Sequence, residues 1–265
     1  MPDKAAPRKP KPAMEVRGLR FAYGKNKVLR DASLKIEEGK ITTIMGANGC
    51  GKSTLFLLMT KNLFARKGDI FIRGKNIRNF TLKDFAREVA IVHQYNTVSD
   101  DVTVEQLVSF GRTPYKKMMQ AQTEEDERII EWAMEVTDIV PFRNREVGRL
   151  SGGQRQRVWI AMALAQNTKI LLLDEPTTYL DIRYQIEILE LIRKLNKEYG
   201  ITIVMVLHDI NQAITYSDAV IGLKDGVVSM QGEPQDAITA ESIEALYGIR
   251  LDVVEVDGRK VVLTA

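Results

Sequence analysis

A chain of 265 residues with 45% hydrophobic content can bury a large core, as one domain with an insertion or as two packed lobes, and is not a mainly disordered protein. The formal charge is +3, yet the first 13 residues hold Lys4, Arg8, Lys9 and Lys11 against Asp3 alone, so the rest is balanced and carries no nucleic-acid signature. A single cysteine, Cys50, argues against a disulfide scaffold and fits a reducing compartment.

In chain order, residues 1–13 also contain Pro2, Pro7, Pro10 and Pro12 and read as a disordered basic tail; no apolar stretch follows the charges to make a secretory signal. Short strand-like runs follow at Glu15 to Phe21, Val28 to Ile36 and Ile41 to Met45, separated by turns at Gly24-Lys25-Asn26 and Glu38-Gly39-Lys40. Gly46-Ala47-Asn48-Gly49-Cys50-Gly51-Lys52-Ser53-Thr54 comes next, ahead of the helix-forming run Leu55 to Met59. Further strands are expected at Asp69 to Arg73 and Val89 to His93.

From Tyr95 to Leu150 the texture turns helical. Thr103 and Gln106 form a capping box, and Glu124 to Thr137 is an amphipathic helix with Ile129, Ile130, Ala133, Met134 and Val136 on its apolar side. Leu150-Ser151-Gly152-Gly153-Gln154 then leads back to a core of two uninterrupted apolar runs, Ile170 to Leu173 and Ile201 to Leu207, with a helix at Ile182 to Tyr199 between them. Runs without alternation are strands covered on both faces, so the core is a layered α/β sheet. The longer run has seven residues, far below the roughly 20 of a membrane span. Gly222 to Ala265 adds short β runs and a helix beginning near Ala240.

The chemistry sits where these strands end. GxxxxGK followed by a hydroxyl residue, between a strand and a helix, is a phosphate-cradling loop: Gly46, Gly49 and Gly51 permit the turn, and the backbone N–H groups, including those of Ala47, Asn48 and Cys50, converge on phosphate. Lys52 can neutralise the β/γ oxygens and Ser53 can hold Mg²⁺, while Thr54 sits at the helix start beside the phosphates. Asp174 and Glu175 follow an apolar strand, one placed to hold Mg²⁺ and the other to accept a proton from an attacking water. His208, after the second apolar strand, can orient a γ-phosphate or its water, or be a hydrogen-bonded histidine at a strand end. Ser151 and Gln154 form a capping box, and Gly152 and Gly153 leave N–H groups approachable by phosphate. That second phosphate turn is surplus to one site, so it is expected to complete the site of another chain.

These motifs, with Leu150 to Gln154 running into Arg155-Gln156-Arg157, closely resemble the ATP-binding subunits of ABC transporters over residues 14–250. The resemblance implies an α/β fold, a P-loop NTPase core with a β subdomain, an inserted helical lobe at about 95–150 and a short β extension at 251–265. It implies ATP and Mg²⁺ as cofactors, with Ser53, Gln94 and Asp174 toward the metal and Lys52, Gln94, Glu175 and His208 toward catalysis. It implies Tyr23 as a platform under adenine, where a core tyrosine is the plainer reading. Asp181 resembles a residue that communicates between paired subunits, or is a helix cap. Two copies are implied head to tail, each supplying Ser151, Gly152, Gly153 and Gln154 to the ATP held by the other.

The implied partners are separate transmembrane permease subunits, with an extracytoplasmic substrate-binding protein beyond them and no nucleic acid. The implied location is peripheral, on the cytoplasmic face of the cell membrane. Gln94 and Tyr95 to Tyr115 are the coupling candidates, although Tyr115 reads equally well as a packed aromatic. Phe110-Gly111-Arg112-Thr113-Pro114-Tyr115 and Thr177-Thr178-Tyr179-Leu180-Asp181 resemble the importer subgroup for iron-siderophore, haem or cobalamin, with iron-siderophore the leading cargo. Ala47 departs from the proline frequent in that loop, which leaves a backbone N–H and more torsional freedom. A soluble ATP switch of DNA repair or translation would favour a long coiled-coil insertion or a second ATP domain, and neither is visible. A kinase would leave the second glycine turn and His208 without roles.

Overall fold

A computed structural model describes residues 12–99, 101–116 and 121–263. The expected basic tail, up to position 11, and the last two residues of the C-terminal extension lie outside the described residues.

The chain opens with a hairpin, β1 (Met14–Tyr23) and β2 (Asn26–Ile36), whose inward faces alternate with solvent-facing positions. β3 (Ile41–Met45) is buried at all five positions and leads through the glycine loop into α1 (Lys52–Met59). β4 (Lys67–Ile72) and the two-residue β5 (Lys75–Asn76) return to the hairpin and complete an antiparallel sheet ordered β2-β1-β4-β5. α2 (Leu82–Glu88), capped by the Thr81 hydroxyl, runs without a break into β6 (Val89–Val92).

α3 (Val104–Ser109) begins at the Thr103 and Gln106 capping box. α4 (Glu124–Val136) has a box of its own, with Thr123 and Asp126 bonded reciprocally, and α5 (Gly152–Ala165) begins at the one formed by Ser151 and Gln154. These three helices pack on one another through Val104, Leu107, Ile130, Met134, Val158 and Ile160, and the same apolar cluster continues into Leu171, Leu173 and Ile203 of the sheet. Helical lobe and sheet therefore share a core, which ties the position of one to the other.

β7 (Ile170–Leu173), α6 (Ile182–Tyr199) and β8 (Thr202–Val206) follow; α6 is capped by the Asp181 carboxylate and stopped by Gly200 in the left-handed conformation. The chain then forms α7 (Ile210–Tyr216), β9 (Ala219–Lys224), β10 (Val227–Gly232), α8 (Pro234–Ala237) and α9 (Ala240–Tyr247). A last hairpin, β11 (Asp252–Val256) and β12 (Arg259–Leu263), is fastened to α7 by both polar atoms of the Asn211 amide on the Val262 backbone, at 3.0 and 2.8 Å.

The larger sheet is ordered β10-β9-β3-β8-β7-β6, with β9, β3, β8, β7 and β6 mutually parallel and β10 antiparallel at the edge. Parallel neighbours bring their carboxyl ends to one edge, where such sheets present ligand sites. That edge carries the Gly46 loop after β3, His93 and Gln94 after β6, Asp174 and Glu175 after β7, and His208 close after β8.

Candidate functional site

The Gly46 loop is shaped by close packing. A Cβ on Gly46 would lie 2.2 Å from the Leu223 carbonyl oxygen and 2.9 Å from the Cys50 sulfur, and φ is +145°. Gly51 stands at the start of α1 with no side chain to cap it, so the first N–H groups of that helix are left for a ligand. Lys52 is 5% exposed, and its ammonium donates to the carbonyl oxygens of Gly46 and Ala47 at 2.7 and 3.0 Å. A buried cation held by neutral oxygens alone, beside an uncapped helix start, fits a polyanion such as the phosphates of ATP. Ser53 is exposed at the same end, Thr54 is buried, and Cys50 is buried with its thiol pushed up by burial, which makes it unreactive. Tyr247 of α9 reaches the underside of this loop: burial pushes its phenol up to about 12, with the Gly46 backbone working in the opposite direction.

At the ends of β6, β7 and β8, three strands converge on one carboxylate. The Gln94 amide donates to Glu175 Oε2 at 2.5 Å, the Thr178 hydroxyl donates to the same oxygen at 3.0 Å, and His208 Nε2 lies 2.6 Å from Glu175 Oε1. Glu175 adopts φ +50°, a conformation that non-glycine residues rarely take and that recurs at functional sites. In the sequence Thr178 stands out only as part of a subgroup motif; nothing in a Thr-Thr-Tyr run signals that its second hydroxyl turns back onto the glutamate.

Asp174 is pushed up to about 6, first by burial and then by the charge of Glu175, with His208 and Lys52 pulling the other way. Such a carboxyl sheds its proton readily to a cation. Its oxygens, the Ser53 hydroxyl and the free amide oxygen of Gln94 are hard donors that suit Mg²⁺, whose usual sites combine one or two carboxylates with substrate phosphate. Among the described residues no group of three or more His, Cys, Asp or Glu side chains forms a protein-only metal cage.

Tyr23 is 49% exposed and meets Phe21 edge-on with ring centres 4.9 Å apart, so it is a surface aromatic and not a core tyrosine. Beside it a cleft of about 980 Å³ is lined by Phe21, Ala22, Lys27, Arg30 and Phe64 among others.

The Ser151 turn is exposed at Ser151 and Gly152. Gly153 is buried: a Cβ there would lie 2.4 Å from the Tyr184 ring, so its bareness already has a cause within the chain. Gly152 faces the Leu180 side chain, where a Cβ would be in ordinary contact at 3.4 Å. The turn is thus set against the start of α6, beside Asp181, which serves as the helix cap.

The model of the ABC transporter family matches residues 29–178. The chain is 44% identical over 236 residues to the iron(3+)-hydroxamate import ATP-binding protein FhuC of Bacillus subtilis (strain 168), spanning 89% of this chain and 88% of that one. This chain belongs to the ABC transporter ATP-binding family. Another relative is the ferric enterobactin transport ATP-binding protein FepC of Escherichia coli (strain K12), 43% identical over 89% of this chain and 88% of the relative. Among solved structures, cbiO1 of Clostridium perfringens, part of the ABC transporter complex cbiONQ, superposes with a TM-score of 0.77 at 33% identity over 85% of this ABC chain and 90% of its own. The dimeric ABC transporter cassette MJ0796 superposes with a TM-score of 0.72 at 30% identity, over 83% and 98% of the two chains. No helix among the described residues of this ABC subunit is long and apolar enough to cross a membrane.

The raised Asp174 carboxyl has a signed consequence. The folded chain holds this proton more tightly than the unfolded chain, so the stability it contributes is fully present below 3.8 and is lost as pH rises through about 6. Without Mg²⁺ or nucleotide, Asp174→Asn is therefore expected to gain stability over the parent above about pH 6 and to flatten the decline between 3.8 and about 6. Denaturant unfolding across that range measures it, and parallel curves for parent and variant would contradict the assignment.

Proposed function

We propose that this chain is the ATP-hydrolysing subunit of an importer for ferric siderophores, bound to a membrane permease at the cytoplasmic face of the cell membrane. The observation that carries the reading is the convergence of Gln94, Thr178 and His208 on Glu175, at the sheet edge that also bears the Lys52 loop. The siderophore cargo is supported by the hydroxamate and enterobactin transport of the relatives named above, to which the whole length of the catalytic region is similar.

In this reading Lys52 and the N–H groups of the Gly46 loop bind the ATP phosphates, and Tyr23 stacks on the adenine beside its cleft. Mg²⁺, held by Ser53, Gln94 and Asp174, neutralises charge on the phosphates when bound. Glu175 takes a proton from the attacking water. His208 and Gln94 fix the two carboxylate oxygens and so orient the base toward a water that would attack the γ-phosphorus.

The Ser151 turn, exposed at Ser151 and Gly152 and far from the Lys52 loop in sequence, serves the ATP held by a second copy. ATP then bridges two complementary surfaces, and its hydrolysis removes the bridge. The free-energy difference between the bridged and open pair is what the permease receives.

Glu175→Gln is expected to keep ATP affinity within about threefold while lowering turnover by at least about 100-fold, the usual contribution of a general base. Sizing chromatography with MgATP should then reveal a trapped dimer, and a variant that turns over rapidly as a monomer would refute the assignment. In a mixed dimer carrying Ser151→Arg on one chain and Lys52→Ala on the other, one composite site should survive. Occlusion of one ATP per dimer supports the trans arrangement, whereas none, the result of a site built within each chain, contradicts it. For the cargo, the purified complex of subunit, permease and delivery protein should hydrolyse ATP several-fold faster with a ferric hydroxamate than with haem or cobalamin; preference for either of the latter would reassign it.

A further inference from the structure

The Phe110 to Tyr115 motif has a structural account that the nucleotide site does not use. Gly111 lies so close to α5 that a Cβ would sit 2.2 Å from the Met162 carbonyl oxygen and 2.8 Å from the Ala165 Cβ. Arg112 is 4% exposed; its guanidinium donates to Asp126 of α4 at 2.7 Å and to the Ala165 carbonyl at the end of α5 at 2.8 Å. Tyr115 donates its hydroxyl to the Gln166 carbonyl at 2.9 Å, one residue beyond that end. The motif therefore seals the last turn of α5, whose carbonyls have no partners within the helix.

The same tyrosine ring gathers two guanidiniums. Arg112 stands 4.1 Å and Arg87 5.3 Å from its centre, both inside cation–π range. Arg112 is neutralised by Asp126, but Arg87 pairs with no carboxylate among the described residues and is held by the ring and by the Pro114 carbonyl oxygen at 3.1 Å. Lys83 of the same helix donates to the Lys116 carbonyl at 3.0 Å. Both cations belong to α2, which runs straight into β6 and Gln94. Tyr115 thus joins the base of α5 to the element that precedes the Gln94 strand. Besides the shared apolar cluster, polar and aromatic ties between lobe and core also lie on the α6 side, where Arg157 meets Glu187 at 3.2 Å and Trp132 meets Tyr199 edge-on.

We propose that Tyr115, gripped by Arg87 and Arg112, is the pivot that pins the base of α5 to the core, and so is a positioning residue for the Ser151 turn at the opposite end of that helix. The 14 residues of α5 make a rod roughly 21 Å long. A tilt of about 10° at its base moves the tip by about 4 Å, more than a hydrogen bond to phosphate tolerates. Loosening the pivot should leave ATP capture by the Lys52 loop intact and spoil the meeting of the Ser151 turn with the ATP of a second copy. The inference rests on the paired reading given above.

The test uses the full chain carrying Glu175→Gln as parent. Equilibrium MgATP titration at low protein concentration reads capture, and sedimentation with MgATP reads dimerisation. Tyr115→Ala is expected to bind ATP within about twofold of the parent and to dimerise roughly tenfold more weakly, while Tyr115→Phe, which keeps the ring, stays within about threefold. Arg87→Met, at an exposed position, tests the same contact should Tyr115→Ala fail to fold, and is expected to weaken dimerisation alone. Dimers as tight as the parent's in the folded Tyr115→Ala and in Arg87→Met overturn the pivot. So does a loss of ATP capture in step with dimerisation, which would mark the tyrosine as general support. A parent that stays monomeric with ATP overturns the paired reading and the pivot with it, so the two failures are distinct.

Discussion

The rest of the structure depends on holding one carboxylate, that of Glu175, in a fixed orientation against its own preferences. Its backbone sits at φ +50°, and it follows directly on Asp174, a second acid that burial and the neighbouring charge already resist ionising. Left to itself such a side chain would turn toward water. Donors from three places prevent this: Gln94 from the end of β6, Thr178 from the turn beyond β7, and His208 from beyond β8. Each donor arrives because its strand is parallel to its neighbour and ends at the same edge, so the sheet order is the cause of the site geometry.

The electrostatics of that edge are divided. On the Lys52 side, a buried ammonium is satisfied only by carbonyl oxygens and an uncapped helix start adds further positive potential. On the β7 side, two adjacent carboxylates concentrate negative charge. An anion with a divalent cation on one flank satisfies both halves at once, whereas either alone leaves one half uncompensated. Such a ligand therefore matches the charge of both halves of the edge.

Much of this was legible in the sequence because local rules and the global fold agree. The continuous apolar strand β7, the glycine loop between β3 and α1 and the capping boxes at Thr103 and Ser151 are each set by neighbours within a few residues. What was not legible depends on distant partners. α2 and α7 have seven residues each, too few for a helical period to stand out, and β9 carries Gly222 at its centre because Leu246 and Met230 crowd that position. Gly153 reads as a phosphate-facing glycine from its motif, yet the Tyr184 ring, 31 positions later, already forbids a side chain there. The local sequence leaves Tyr115 open between packing and coupling, because its contacts are to Arg87 and Gln166, neither of which that sequence discloses.

Long-range contacts also link the Glu175 turn to the Ser151 turn. From Glu175 the chain passes through Thr178, whose hydroxyl returns to the carboxylate, to Leu180, which packs beside Gly152, and to Asp181 and Tyr184, where α6 begins against Gly153. A shift of the glutamate turn is therefore felt within a few residues at the Ser151 turn of the same chain, with no need for a signal through the sheet. Packed contacts of this kind have few alternative arrangements, so a displacement of the start of α6 bears on the turn as well as a tilt of α5 does. In the proposed pair, the carboxylate assigned to water activation in one site and the turn assigned to phosphate in the other lie on one packed stretch of chain. Under that proposal, chemistry at one ATP bears on the grip at the second, which is a mechanical reason for the two sites to act in concert.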